Sequence, residues 1–216
     1  MAHVTKTVIE QLDILESLGL FDAARRDHAA VAEAAAILRA APPRGETSLV
    51  GLHPAWFPAS GLAPLMTREG KPGFVVEDMT DVDDFLPSGF ELPGHPLYLV
   101  HGVERGDDLR NVSPEEALPR ITAAGRRGLT LHEGLSWAIT HPEIIEADHC
   151  VMTIGSRRAK PLARAGDGVA YDARTPALWN ASGTGRDGKD RRGAPKLGWC
   201  WWRNRHTWLG IASAER

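Results

Sequence analysis

The sequence predicts an α+β fold: a mixed, mostly antiparallel sheet with helices on one face and an N-terminal helical pair. Three observations carry this. Two helix starts are spelled out as capping boxes, "SPEE" at Ser113–Glu116 and "TLHE" at Thr130–Glu133, where hydroxyl and carboxylate each satisfy a free backbone amide. Short apolar runs bounded by proline and glycine recur along the middle and end of the chain, as strands do. Before them, residues 5–38 repeat apolar side chains at helical spacing.

In order, Val8, Leu12 and Leu15 mark one helix and Val31, Ala35 and Leu38 a second, separated by "SLGLFD". "APPRGE" ends the helical signal, because proline lacks a donor and restricts the residue before it. The division read from this is a helical appendage over 1–42 and an α+β domain over 43–216. "TSLVGL" (47–52), "GFVVED" (73–78) and "PLYLVHGV" (96–103) read as strands. Pro114 sits at the first position of the Ser113-capped helix, and "AAGRRG" closes that helix with glycine and basic residues. The Thr130-capped helix should stop near Thr140, since Pro142 cannot continue the ladder. "HCVMTIGS" (149–156) and "TPALWNA" (175–181) read as further strands, and "SGTGRDGKDRRGAP" as a loop. Its "GTGRDG" lacks the following Lys-Ser or Lys-Thr and the helix that a phosphate loop needs.

The last stretch, "KLGWCWWRNRHTWLGIAS" (196–213), holds four of the seven tryptophans. It reads as a tryptophan-rich hairpin with strands at 197–202 and 207–213 and "RNR" at the turn. Leu197, Trp199 and Trp201 would face one side, Cys200 and Trp202 the other. Large aromatics serve either a core or a recognition surface.

Composition narrows the partners. The chain of 216 residues is 43% hydrophobic and 25% charged, enough to bury a core. A net charge of -3 and a pI near 6.3 give no general attraction to nucleic acid or anionic membrane, so neither is expected as a partner. Two cysteines without paired spacing suit a reducing cytoplasm, and no apolar run has the length of a signal peptide core or a membrane span. A small-molecule ligand is the expected partner, and a homodimer the oligomer considered.

The run "RGDDLRNVSPEEALPRITAAGRRGLTLHEGLSWAITHPE", then "GSRR", "PALW" and "PKLGWCWWRNRHTWLGIAS", resembles an actinobacterial domain-of-unknown-function family, DUF5701, over roughly residues 70–213. The resemblance implies a shared fold and a cytoplasmic bacterial setting and assigns no activity. Against that family's pattern the stretches Ala159–Thr175 and "GTGRDGKDRR" look long, and Ala214 stands in place of a cysteine.

Candidate chemistry gathers at the chain's end. Arg157 and Arg158 follow a buried strand, and guanidinium matches carboxylate or phosphate; the structural alternative is solvent exposure or ion pairing with "EDMTDVDD" (77–84). Substrate-binding candidates are therefore Arg157, Arg158, Trp201 and Asn204. The catalytic candidates are His206, Glu133 and Cys200, with His206 placed beside Arg157 or Arg158 as a general base. Glu133 already has a capping task, and Cys200 between tryptophans suits an inert thiol. His149, Cys150, Cys200 and His206 lack metal-ligand spacing, so no metal or cofactor is expected. Two functions follow: a small-molecule enzyme, in specialised metabolism, acting on an anionic substrate in a Trp-lined pocket; or a non-catalytic protein-interaction module.

Overall fold

The computed structural model describes residues 4–40, 48–161 and 169–216. Two helices come first, α1 (Val8–Ser17) and α2 (His28–Ala40). α1 opens on a third capping box, in which Thr7 Oγ1 accepts from Glu10 N and the Glu10 carboxylate accepts from Thr7 N. The Pro42–Pro43 break and the start of the strand read from Thr47 lie outside the described residues.

There follow β1 (Leu49–Leu52), the short helix α3 (Ala59–Leu62), β2 (Thr67–Arg68), β3 (Lys71–Pro72), β4 (Phe74–Val75), β5 (Leu86–Pro87) and β6 (Leu97–Val100). Next come α4 (Pro114–Ala123), β7 (Arg126–Gly128), α5 (Leu131–Thr140), β8 (Cys150–Met152) and β9 (Ser156–Arg157). The chain ends with β10 (Arg174–Asn180), β11 (Pro195–Trp201), β12 (Leu209–Ile211) and β13 (Ser213–Glu215). Ser113 and Thr130 cap α4 and α5 with the capping boxes read from the sequence. The protein is α+β, with mostly antiparallel pairing.

The central sheet runs β12-β8-β10-β11-β4. β10 pairs antiparallel with β8 and, over its whole length, with β11, while β12 and β4 add as parallel edges. Its side chains alternate between two separate cores. Val151, Leu178 and Leu197 enter one apolar cluster; Cys150, Met152, Ala177 and Cys200 enter the other.

Both sheet faces are apolar, so each must be covered, and this corrects the expected placement of both capped helices on one face. α5 covers the first face and is buried at all ten of its residues. Gly134 permits that contact, because a Cβ there would lie 2.4 Å from Thr153 Cγ2. α4 turns Ala117 and Ile121 to the second cluster instead. The N-terminal helices join the first cluster through Leu12, Leu15 and Val31. Buried Gln11 bonds both Ser48 O and Val50 N at 2.9 Å, tying α1 to β1.

The tryptophan-rich hairpin is also corrected: β11 and β12 do not pair. β11 has both edges taken, by β10 and β4, so the chain crosses to the far edge of the sheet and pairs β12 with β8. "RNR" lacks the glycine or asparagine-glycine turn that would reverse the chain tightly. Seven residues, 202–208, make the crossing, enough to span the roughly 14 Å between the two strands. They run over the start of α4: Glu115 N donates to Trp202 O at 3.1 Å, Asn111 N to His206 O at 3.0 Å, and Arg205 pairs with Glu116. Trp202 and Trp208 are thereby pressed against the second core.

Candidate functional site

A cleft of about 750 Å³ opens beside Trp202, where the crossing segment meets β7, β9 and α4. Its floor is a tight backbone approach of Gly155 to β7, since a Cβ on Gly155 would lie 2.3 Å from Gly128 O. Among the described residues five arginines line it, Arg126, Arg127, Arg157, Arg203 and Arg216, against one side-chain carboxylate, Glu115. Phe90, Tyr171 and Trp202 add aromatic surface.

The arginines differ in what they have left to offer. The Arg127 guanidinium lies over Phe90 at 4.6 Å and gives both its Nη atoms to buried Glu133 at 2.7 Å. Arg126 bonds Ser213 and Gly102 O and pairs with Glu104 at 3.3 Å. Arg203 pairs with Glu115 at 3.1 Å. Arg157 has no carboxylate partner among the described residues. Its guanidinium lies 3.8 Å over the Trp202 ring and 5.2 Å from that of Tyr171, and Nη2 donates to Asp172 O at 2.7 Å. Its Nε is buried without a hydrogen-bond partner among the described residues, and burial lowers the pKa of the group. A cation held over an indole, with no carboxylate partner among the described residues, is poised to receive an anion.

The other residues singled out from the sequence scatter. Arg158 pairs with Asp81 at 2.7 Å and Asp84 at 3.4 Å, the ion-pair alternative to ligand binding. That acidic stretch also holds Arg174, whose hydrogen bond keeps the Asp172 carboxyl at about 2. Trp201 points outward at 46% exposure, edge-on to Trp199, and Asn204 closes a turn onto Trp201 O. His206 stands 5.1 Å from the ring of Trp208 and does not line the cleft that Arg157 lines, so the expected pairing of the two is not formed. Glu133 is wholly buried and fully engaged, accepting also from Thr130 N and the Tyr98 hydroxyl. Cys200 is buried; a hydrogen bond from Cys150 lowers its thiol pKa, while burial raises that of Cys150. Ala214 is buried in β13, opposite Arg127.

Sequence alone does not single out Arg126 and Arg127, because "GRRG" reads as a helix end. Gly125, at φ +73°, ends the turn, and the two arginines instead form β7. The signal lies in "GRRGLT": an arginine pair, then Gly128 and Leu129, directly ahead of the capping Thr130, as in a short strand feeding a helix. Among the described residues no three His, Cys, Asp or Glu side chains gather as a metal-binding group, and no helix is long and apolar enough to cross a membrane.

No curated protein and no solved structure matches this chain. The model of a family of unknown function, DUF5701, matches residues 9–216, which takes in both N-terminal helices as well as the arginine-lined cleft. The chain belongs to the DUF5701 family.

Proposed function

We propose that this protein binds a small organic anion, a carboxylate or phosphate with an apolar or aromatic body, in the arginine-lined cleft. One observation carries the reading: Arg157 lies over the Trp202 ring with no carboxylate partner among the described residues, in a cleft those residues line with five arginines and one side-chain carboxylate. The aromatic rings beside it suit the ligand's apolar part. As an enzyme, the protein would draw on Tyr171 and Glu115, the cleft groups able to carry a proton, because Glu133, Cys200 and His206 do not line it. The setting we infer is the bacterial cytoplasm, in keeping with two free cysteines and the absence of a disulfide framework; a role in specialised metabolism fits an organic-acid ligand.

Thermal melting against benzoate, phenyl phosphate and citrate tests this. At least one anion should raise the melting temperature saturably, and Arg157→Gln should abolish the rise while shifting the unliganded midpoint by only about 2 °C. Equal stabilisation of wild type and Arg157→Gln by every anion would place the effect elsewhere. The interaction-module reading draws on Trp201, exposed beside Trp199.

A further inference from the structure

A second cleft, of about 630 Å³, lies where the crossing segment ends, between Asp148–His149, Trp179–Asn180 and Trp208. Its aromatic walls are the indoles of Trp179 and Trp208, with centroids 6.5 Å apart and planes inclined by 58°. Two parallel faces about 7 Å apart sandwich a planar ring. A corner does not, because a flat guest stacked on one indole meets the other at an angle; a rounded group touches both.

The electrostatics select the charge of that group. Asp148 is the one charged side chain lining the cleft besides neutral His149, and it has no ion-pair partner among the described residues. Its backbone sits at φ +54°, a left-handed conformation that non-glycine residues adopt at a cost. Behind it the charges cancel: buried Arg105 pairs with Asp107 at 2.8 Å and Glu146 at 2.9 Å, and Arg110 donates to His149 Nδ1 at 3.1 Å. Since arginine only donates, His149 carries its proton on Nε2, 3.2 Å from Asp107. Burial, and then Arg105, hold that imidazole at about 4, so it is neutral at pH 7. Trp179 already attracts one cation, Lys196 Nζ at 4.7 Å from its ring, itself neutralised by Asp187 at 2.7 Å and outside the cleft lining.

We propose that this cleft binds an alkylated ammonium group, its charge shared between the Trp179 and Trp208 faces and the Asp148 carboxylate. The proposal is independent of the anion reading, since none of these residues lines the arginine cleft. Calorimetric titration with choline and with its neutral isostere 3,3-dimethylbutan-1-ol, at constant ionic strength, tests it on the whole protein. Choline should bind in about the millimolar range and the alcohol at least about tenfold more weakly. Asp148→Asn should weaken choline about fivefold and Trp208→Leu should abolish its binding, with benzoate binding unchanged in both. Should Trp208→Leu not fold, Trp208→Phe reads the same contact with a loss of about threefold. Equal binding of alcohol and choline, no saturable heat with choline, or choline affinity unmoved by the Asp148 and Trp208 substitutions would overturn it.

Discussion

Between pH 7 and pH 4 this protein should lose most of its stability, and three buried histidines should be the cause. His132, His141 and His149 are each held at about 4 in the fold, against an ordinary value of 6.5, with burial the leading reason every time. Neutral in the native state, each takes up a proton on unfolding below about pH 6.5. The stability is therefore complete above that pH and is lost as pH falls toward 4. A shift of this size corresponds to about 3 kcal/mol per histidine, so the three together approach the about 5–15 kcal/mol of a typical domain.

The geometry explains why His132 and His141 resist charging in place until pH falls toward 4. His132 is almost wholly buried, and burial outweighs the pull of Asp83 and of the Phe57 backbone, which favour its charged form. His141 Nε2 accepts from both Thr5 N and Lys6 N at 3.1 Å, and a proton there would eject the N-terminal segment from the end of α5. Urea titrations at pH 7 and pH 4.5 check this. His132→Leu should narrow the difference between them by about 2–3 kcal/mol. A wild-type stability that is flat over this range would contradict the assignment.

Glu133→Gln should cost about 3–5 kcal/mol at neutral pH, the penalty for leaving a buried partner charge uncompensated. Glu133 is wholly buried and receives both Nη atoms of Arg127, whose side chain is 14% exposed. Removing the carboxylate charge strands the guanidinium over Phe90 and weakens the cap on α5. The double variant Glu133→Gln/Arg127→Met should recover more than half of the loss, because no buried charge remains. Chemical denaturation of the four proteins in the cycle measures this. A single variant within about 0.5 kcal/mol of wild type would show the pair to be hydrated and weak.

Much of the fold could be read from local chemistry. The Ser113 and Thr130 boxes, the stop before Pro142 and the helical spacing of 5–38 are rules about neighbours in sequence, and α4, α5, α1 and α2 obey them. The apolar runs likewise became β1, β4, β6, β8 and β10. What could not be read was which strand takes which edge. β11 and β12 look like a hairpin because they adjoin in sequence, yet β4 from far upstream claims the edge of β11. The same non-local choice decides the site. It lays Arg157 on Trp202, as the order of "SRR" and the tryptophan cluster suggested, and carries His206 away to Trp208. Arg158, the adjacent residue, points to the acidic run, because consecutive residues at a strand end diverge.

The anion-binding reading rests on Arg157, and the most direct measurement follows its guanidinium. Assigned arginine Nε–Hε resonances, recorded while phenyl phosphate and benzoate are titrated in, report each arginine separately. The Arg157 signal should shift saturably together with that of Arg126, while those of Arg25 and Arg39, paired with Asp83 and with Asp13 and Glu16 away from the cleft, should stay in place. Small, linear and equal shifts at all four arginines would mean that the cleft holds no anion of its own.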